Sequence, residues 1–285
     1  MQSLELRERL IKATLFAATM VSVVAALSIF ALLLYFSLPL FSIEGLRTVI
    51  SWEWRPFSGH FGIMPMMVGS LLLSTGALLI ACPAGIGICA FISVLAPGRF
   101  ARPVSAIVHY MTSIPTVIYG FVSIFLLVPL IRDWLDKGTG LSLLTATITL
   151  SLLILPTIVL VYSAYIREKD KELKLTGAAL GFSKSQYFLF ILFPLTKKGL
   201  IIASILGFGR AVGDTLISLM LAGNTPLVPQ SIFDSIRTLT SHIALVIATD
   251  SQSTFYHSVF AAGLLLFILM TAINIIIRKI GNSSQ

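Results

Sequence analysis

Charge is scarce in this chain: 20 Lys and Arg and 12 Asp and Glu among 285 residues, 11% in all, against a hydrophobic share of 56%. A soluble domain of this length needs no such apolar excess for its core, and the mean hydropathy of +0.96 places the chain in a bilayer. Cysteine is nearly absent. Cys82 and Cys89 stand seven apart in one apolar run, which excludes a disulfide framework and leaves them as small packing residues. The four His are scattered, so no metal cluster is expected, and His109 reads as a packed polar residue of the third apolar run. No Walker-type glycine loop is present, and Gly207-x-Gly209 lacks the strand and turn of a dinucleotide site. The chain is therefore expected to hold no cofactor and to hydrolyse no ATP. The nucleophile or metal constellation of a phosphatase or phosphotransferase is missing as well. The first apolar run is too long for a signal-peptide core and has no convincing cleavage site, so it is read as a spanning helix.

What is present are long uncharged runs: Ala13–Ile43, Pro56–Gly98, Pro103–Ile131, Gly138–Ile166, Gly199–Gly223 apart from two charges, and Ser251–Ile277. Each exceeds the ~20 residues that cross the hydrocarbon. They are continuous rather than alternating, which excludes a barrel and predicts an all-α polytopic membrane protein with six transmembrane helices. The net charge of +8 raises nucleic-acid binding, but the placement of the cations decides against it. Arg7, Arg9 and Lys12, then Arg99 and Arg102, then Arg167, Lys169, Lys171, Lys174, Lys184, Lys197 and Lys198, then Arg278 and Lys279 fall on one set of connections. The alternate loops hold only Arg47, Arg55, Arg132, Lys137 and Arg237. By the positive-inside rule both termini and the fourth connection are cytoplasmic, and the basic excess is topological.

Arg210 and Asp214 are the only charges in the 25-residue run Gly199–Gly223. Each costs at least ~2.5 to 3.5 kcal/mol to place at mid-membrane, so such residues mark function and call for a partner. At a spacing of i, i+4 they are expected on one helix face as an ion pair. Two readings stand: a station for a charged solute, or a structural pair that neutralises itself. Gly209 and Gly213 form a GxxxG spacing that admits a neighbouring backbone to the same face. In the third run, Pro115 and Gly120 interrupt the helix, and Ser113, Thr116 and Tyr119 are placed either to satisfy freed carbonyls or to face a solute.

Two connections are long. The cytoplasmic loop 167–198 predicts a helical continuation, a bend at Gly177 and Gly181, and a short amphipathic helix ending near Pro194. Such a helix lies on the membrane surface or docks into a partner's groove. The external loop 224–254 has prolines followed by Ile232, Ile236, Leu239, Ile243 and Val246 at helical period, predicting either a re-entrant half-helix or a surface helix. Residues 1–60 are expected to form an N-terminal tail, first helix and external loop, and 61–285 a core of five helices.

The segment Gly181-x9-Ile191-Leu192-Phe193-Pro194 resembles the EAA signature of ABC importer permeases, with Leu175 at the signature Glu position and Thr176 and Gly177 at the alanine positions. The stretches Phe61–Ser93, Ser113–Phe121, Gly207–Asn224 and Ser231–Ala244 resemble the phosphate-specific permeases, PstC type more than PstA, and Arg210-Ala-Val-Gly-Asp214 is similar to their Arg-Ala-x-Gly-Glu. This resemblance implies the type-I importer (MetI-like) fold and a phosphate permease of a bacterial or archaeal plasma membrane. It further implies a second permease of PstA type, two cytosolic ATPase subunits of PstB type that hold the ATP and Mg, and an external phosphate-binding protein of PstS type. The coupling loop would then include Glu172, Gly177, Ala178, Ala179, Gly181, Ile191 and Pro194. Either Glu172 replaces the signature carboxylate or the partner permease carries it. Arg210 would contact the oxyanion, and Asp214 would accept the proton that phosphate keeps and sulfate lacks. The alternatives are an ABC permease for another oxyanion, or a self-contained secondary anion transporter or channel using Asp214 as a proton site.

Overall fold

The computed structural model describes residues 2–38, 47, 49–135, 138–247 and 254–282. Ile43, Lys137 and the end of the external loop at 248–253 lie outside them. In chain order the elements are α1 (Gln2–Ser37), β1 (Trp54–Arg55), β2 (His60–Phe61), α2 (Met64–Ala90), α3 (Gly98–Ser113), α4 (Thr116–Leu135) and α5 (Leu143–Ala179). They continue with α6 (Lys184–Leu195), α7 (Lys197–Val212), α8 (Leu216–Leu221), α9 (Leu239–Ile247) and α10 (Thr254–Asn282). A π-type turn, Phe91–Leu95, prolongs α2. The fold is all-α apart from the small β1–β2 hairpin, which the apolar pattern did not announce.

Helix α5 is the axis. Among lipid tails an apolar side chain gains little from merely leaving water, so close packing has to hold the helices together. Ile154, Ile158, Tyr162 and Ile166 on α5 are fully buried between α2 and α7. Ile158 fits there because Gly85 on α2 and Gly207 on α7 face it; a Cβ at either would stand about 3 Å from its side chain. The Tyr162 hydroxyl meets the Thr196 hydroxyl at 3.0 Å, both buried, tying α5 to the corner between α6 and α7. Pro156 is the interior proline of α5. At its N-terminus, Leu143 N–H and Leu144 N–H donate to the Asp234 and Ile232 carbonyls (2.9 and 2.8 Å), so the external loop satisfies donors the helix itself cannot.

Helix α1 is largely exposed and runs antiparallel to α10, with Phe30 against Phe267 and Phe36 against Phe260 (ring centroids 5.2 and 4.6 Å). Helix α10 runs antiparallel to α7, Ile273 beside Gly209 and Met270 beside Gly213. The beginning of α1, the end of α10 and the beginning of α7 therefore share one end of the bundle. The turn after α2 packs there too, against α5 and α6. The four basic groups assigned to one side of the membrane thus converge at one end of the fold.

Five described helices are long and apolar enough to cross a membrane, and a sixth arises if α6 and α7, bent by 71°, count as one. Several expected elements differ. The third run does not form one kinked span. It divides at Ile114–Pro115, where the residue before proline is driven extended (φ −76, ψ 122). Helix α3 is then amphipathic and mostly exposed, and α4 alone is a span. Gly120, read as an interruption, is helical and faces Met220. His109 is exposed rather than packed, its Nδ1 bonded at 2.8 Å to the Ser105 carbonyl of its own helix. Gly177 lies inside α5, and the bend falls at Gly181 alone. Among the described residues of the external loop, Leu239–Ile247 is the helical part. Ile232 is exposed, and Ile236 instead pairs with Gly223, its N–H donating to the Ala222 carbonyl at 2.8 Å. Cys82 and Cys89 are free thiols, as expected.

Candidate functional site

The run carrying Arg210 and Asp214 is not one continuous helix. Helix α7 stops at Val212, Gly213 caps it, and Asp214 begins a new start instead of continuing the turn. Its carboxylate Oδ2 accepts the Ile217 N–H at 2.8 Å, satisfying a donor in the first turn of α8 whose cap position, Thr215, gives no side-chain bond. Its carbonyl accepts from the hydroxyls of Thr240 (2.8 Å) and Ser218 (3.3 Å). The expected ion pair is therefore absent: among the described residues neither Arg210 nor Asp214 has an ion-pair partner. The physical reason is the break, which removes the i, i+4 geometry and gives the carboxylate a backbone donor.

Arg210 is exposed at the end of α7, and its Nη1 donates to the Thr157 hydroxyl of α5 at 3.2 Å. Its charge still acts on Asp214 and on Tyr119. Tyr119 donates to the Met111 carbonyl at 2.9 Å, across the Ile114–Pro115 break, so it satisfies a freed backbone group. Ser113 is exposed at the end of α3, and Thr116 is half-buried at the start of α4. Helix α8 packs on α4, which brings the two broken runs together. The GxxxG face is met by the Met270 and Ile273 side chains of α10 and not by a backbone.

The external loop holds this break in place. Thr238 Oγ1 donates to Ser218 Oγ at 3.0 Å, Leu239 N–H donates to Ser70 Oγ at 2.8 Å, and Arg237 Nε–H donates to the Asn224 carbonyl at 2.8 Å. Burial draws the Arg237 guanidinium below its ordinary pKa. His242, fully buried and edge-on to Trp54 (centroids 4.3 Å), is lowered to about 3 by burial and then by the Arg237 charge, so it is neutral at ordinary pH. Thr157, Ser218, Thr238 and Thr240 were missed in the sequence. Single hydroxyls inside apolar runs carry no periodic signal; Gly213-Asp214, a stop followed by a helix-start acceptor, is the pair that announces the break.

At the other end of α5 is an elbow. Gly181 has φ +74, and Ser183 with Gln186 forms a reciprocal capping box starting α6. Gly177 lies under the Tyr187 ring; a Cβ there would stand 2.5 Å from it. Glu172, Leu175 and Ala179 share one face of α5, with Leu175 84% exposed and Glu172 3.3 Å from Lys169. Ala178 is exposed toward the opposite face, Ile191 is half-buried and Pro194 exposed, and Phe190 (68% exposed) adds an apolar surface.

A family described as the inner membrane component of binding-protein-dependent transport systems matches residues 81–284. The chain is 31% identical over 272 residues to the probable ABC transporter permease protein YqgH of Bacillus subtilis, covering 93% of this chain and 88% of that protein. It is 29% identical over 240 residues to the phosphate transport system permease protein PstC of Pasteurella multocida, covering 78% and 75%. In fold it is similar to a chain of the inward-facing methionine ABC transporter MetNI, with a TM-score of 0.57 at 18% identity, covering 80% of this chain and 99% of that one.

Proposed function

The chain belongs to the family of inner membrane components of binding-protein-dependent transport systems, and from that premise we propose that it is the permease subunit through which an ABC importer moves inorganic phosphate. The observation that carries the reading is Arg210, a permanent cation exposed where a membrane helix is broken and steadied by one hydroxyl. Phosphate entering a bilayer must exchange its water for donors, and a guanidinium offers five N–H groups in a planar fork. Thr157 engages one and aims the rest. Asp214 accepts backbone N–H groups at the start of α8, and its carboxylate is placed to accept a hydrogen bond from protonated phosphate as well. Sulfate has no proton to give and meets only repulsion there. Ser113 and Thr116, beside the second helix break, line the same path in this reading.

The relatives named for phosphate transport support the substrate, and the elbow supports the energy source. Its exposed face, from Glu172 through Leu175 to Ala179, with Ile191 and Pro194 on α6, docks on a cytosolic ATPase that binds ATP and Mg. A second permease, a second ATPase copy and an external phosphate-binding protein complete the assembly. The cation-rich end, with both termini, is cytoplasmic. Residues 61–285 form the working core, and α1 is a peripheral helix on α10.

Uptake of labelled phosphate by the reconstituted assembly tests this reading. Arg210→Ala is expected to lower uptake by about 100-fold while the subunits still assemble, as for loss of a desolvated charge contact. Arg210→Lys keeps the charge but not the fork and should recover little of it. Asp214→Asn should let sulfate compete. ATP hydrolysis stimulated by sulfate or molybdate but not by phosphate would overturn the substrate assignment.

A further inference from the structure

Inside the elbow lies a cavity of about 270 Å³ that the transport path does not use, lined among others by Ser93, Asp170, Lys174, Phe182, Lys184 and Tyr187. Three elements build it: the turn after α2, the end of α5 and the start of α6. One of its hydroxyls is left over. Ser93 Oγ is shielded from solvent without a hydrogen-bond partner among the described residues, while the hydroxyl of Tyr187, a residue only 6% exposed, is turned to the Asp170 carboxylate. A buried hydroxyl without a partner costs about 1–3 kcal/mol, so Ser93 calls for an acceptor in the cavity. Lys174 and Lys184 also lack an ion-pair partner among the described residues, and Asp170 is the carboxylate facing them.

We propose that this cavity is a binding site for a phosphate group, separate from the Arg210 path. Two ammonium groups and the Ser93 hydroxyl donate to the oxygens of a tetrahedral anion, and Asp170, beside the Tyr187 hydroxyl, accepts the proton that a phosphate monoanion or monoester retains. The volume suits orthophosphate with its waters, or one small headgroup, and is below the ~300 Å³ at which pockets for larger ligands begin. Arg210 lies thirteen residues along α7 from Lys197, about 20 Å away at 1.5 Å per residue, so the two sites do not overlap. Nor does the cavity share the docking face. Asp170, Lys174, Gly177 and Ala178 point to one side of α5, and Glu172, Leu175 and Ala179 to the other. An occupant held by Lys174 on α5 and Lys184 on α6 fixes the angle at Gly181, and with it the part of the loop that meets the ATPase. That consequence rests on the importer reading; the binding itself does not.

The test uses the assembled transporter in a phosphate-free detergent and follows acylation of Lys174 and Lys184 by mass spectrometry, with Lys12 as the exposed control. Inorganic phosphate is expected to slow both lysines about tenfold and to leave Lys12 unchanged, whereas sulfate does neither. Protection by anionic phospholipid micelles but not by inorganic phosphate also supports the site and identifies a lipid headgroup as the source. Lys174→Gln should weaken protection of Lys184 about tenfold, with Lys174→Arg restoring it, and Asp170→Asn should admit sulfate. Arg210→Ala, which removes uptake in the importer reading, leaves this protection intact, so the two proposals fail separately. Lysines that react equally with and without either phosphate source, or that are unreactive before any is added, overturn the site.

Discussion

Two interruptions punctuate the second half of the chain, and they are built in opposite ways. At Gly213–Thr215 the break between α7 and α8 is anchored from outside: the Asp214 carboxylate accepts an N–H in the first turn of α8, and its carbonyl is held by Thr240, 26 residues away. At Leu180–Ser183 the elbow between α5 and α6 is local. Its bonds come from its own capping box, and a Cβ on Gly181 would meet nothing within 4 Å. A break secured by distant hydroxyls holds its shape, whereas a pivot with open space around it changes angle. In the proposed importer, the first would present Arg210 in one geometry and the second would serve as a joint that transmits motion.

The largest expected effect falls on the anchored side. His242 is neutral when folded, with its pKa at about 3 against an ordinary 6.5. The unfolded loop therefore binds the extra proton first, and stability is full above about pH 6.5 and falls as pH drops toward 3. On the order of a few kcal/mol is at stake. Thermal unfolding followed by Trp fluorescence across that range should show the loss in the parent and much less in His242→Gln. Next is Gly177→Ala, which drives a methyl into the Tyr187 ring and should cost about 1–3 kcal/mol, relieved by Tyr187→Ala. That result would show the elbow to be rigid on its inner side and free only at Gly181. Thr240→Val removes one of two hydroxyls from the Asp214 carbonyl and should cost about 1 kcal/mol, with faster amide exchange at Ile217. The smallest is Gly181→Ala, about 1 kcal/mol for its left-handed φ, with coupled ATP hydrolysis reduced more than phosphate binding. Equal sensitivity of Thr240→Val and Gly181→Ala in amide exchange at Ile217 would erase the contrast between the two interruptions.

The apolar runs were legible because hydrophobic length is a local property, and so was the concentration of cations at one end. The breaks were only partly so. Pro115 forces an extended neighbour by its own covalent geometry, but the division of Gly199–Gly223 depends on Thr240 reaching the Asp214 carbonyl from the external loop. Treating that run as continuous made Arg210 and Asp214 an ion pair. Thr157 on α5 takes Arg210 instead, and the Ile217 N–H three residues on takes the Asp214 carboxylate. The same lesson applies to Ile232 and Ile236, whose helical spacing lost to the turn that Asp234 makes by accepting the Gln230 and Ser231 N–H groups at 2.8 Å each. Thr157, one hydroxyl in an apolar helix, had no signal at all.

Helix α5 has a mechanical consequence. Its 37 residues make a rod of about 55 Å that is fastened to the external loop at one end and carries the elbow at the other. A rod conveys a tilt from end to end without storing it, except where it is notched. Pro156 removes a rung of the hydrogen-bond ladder there, and the next residue, Thr157, is the one that holds Arg210. The notch in the lever thus lies at the level of the cation, so a tilt of its elbow end is taken up there while the anchored break keeps its shape.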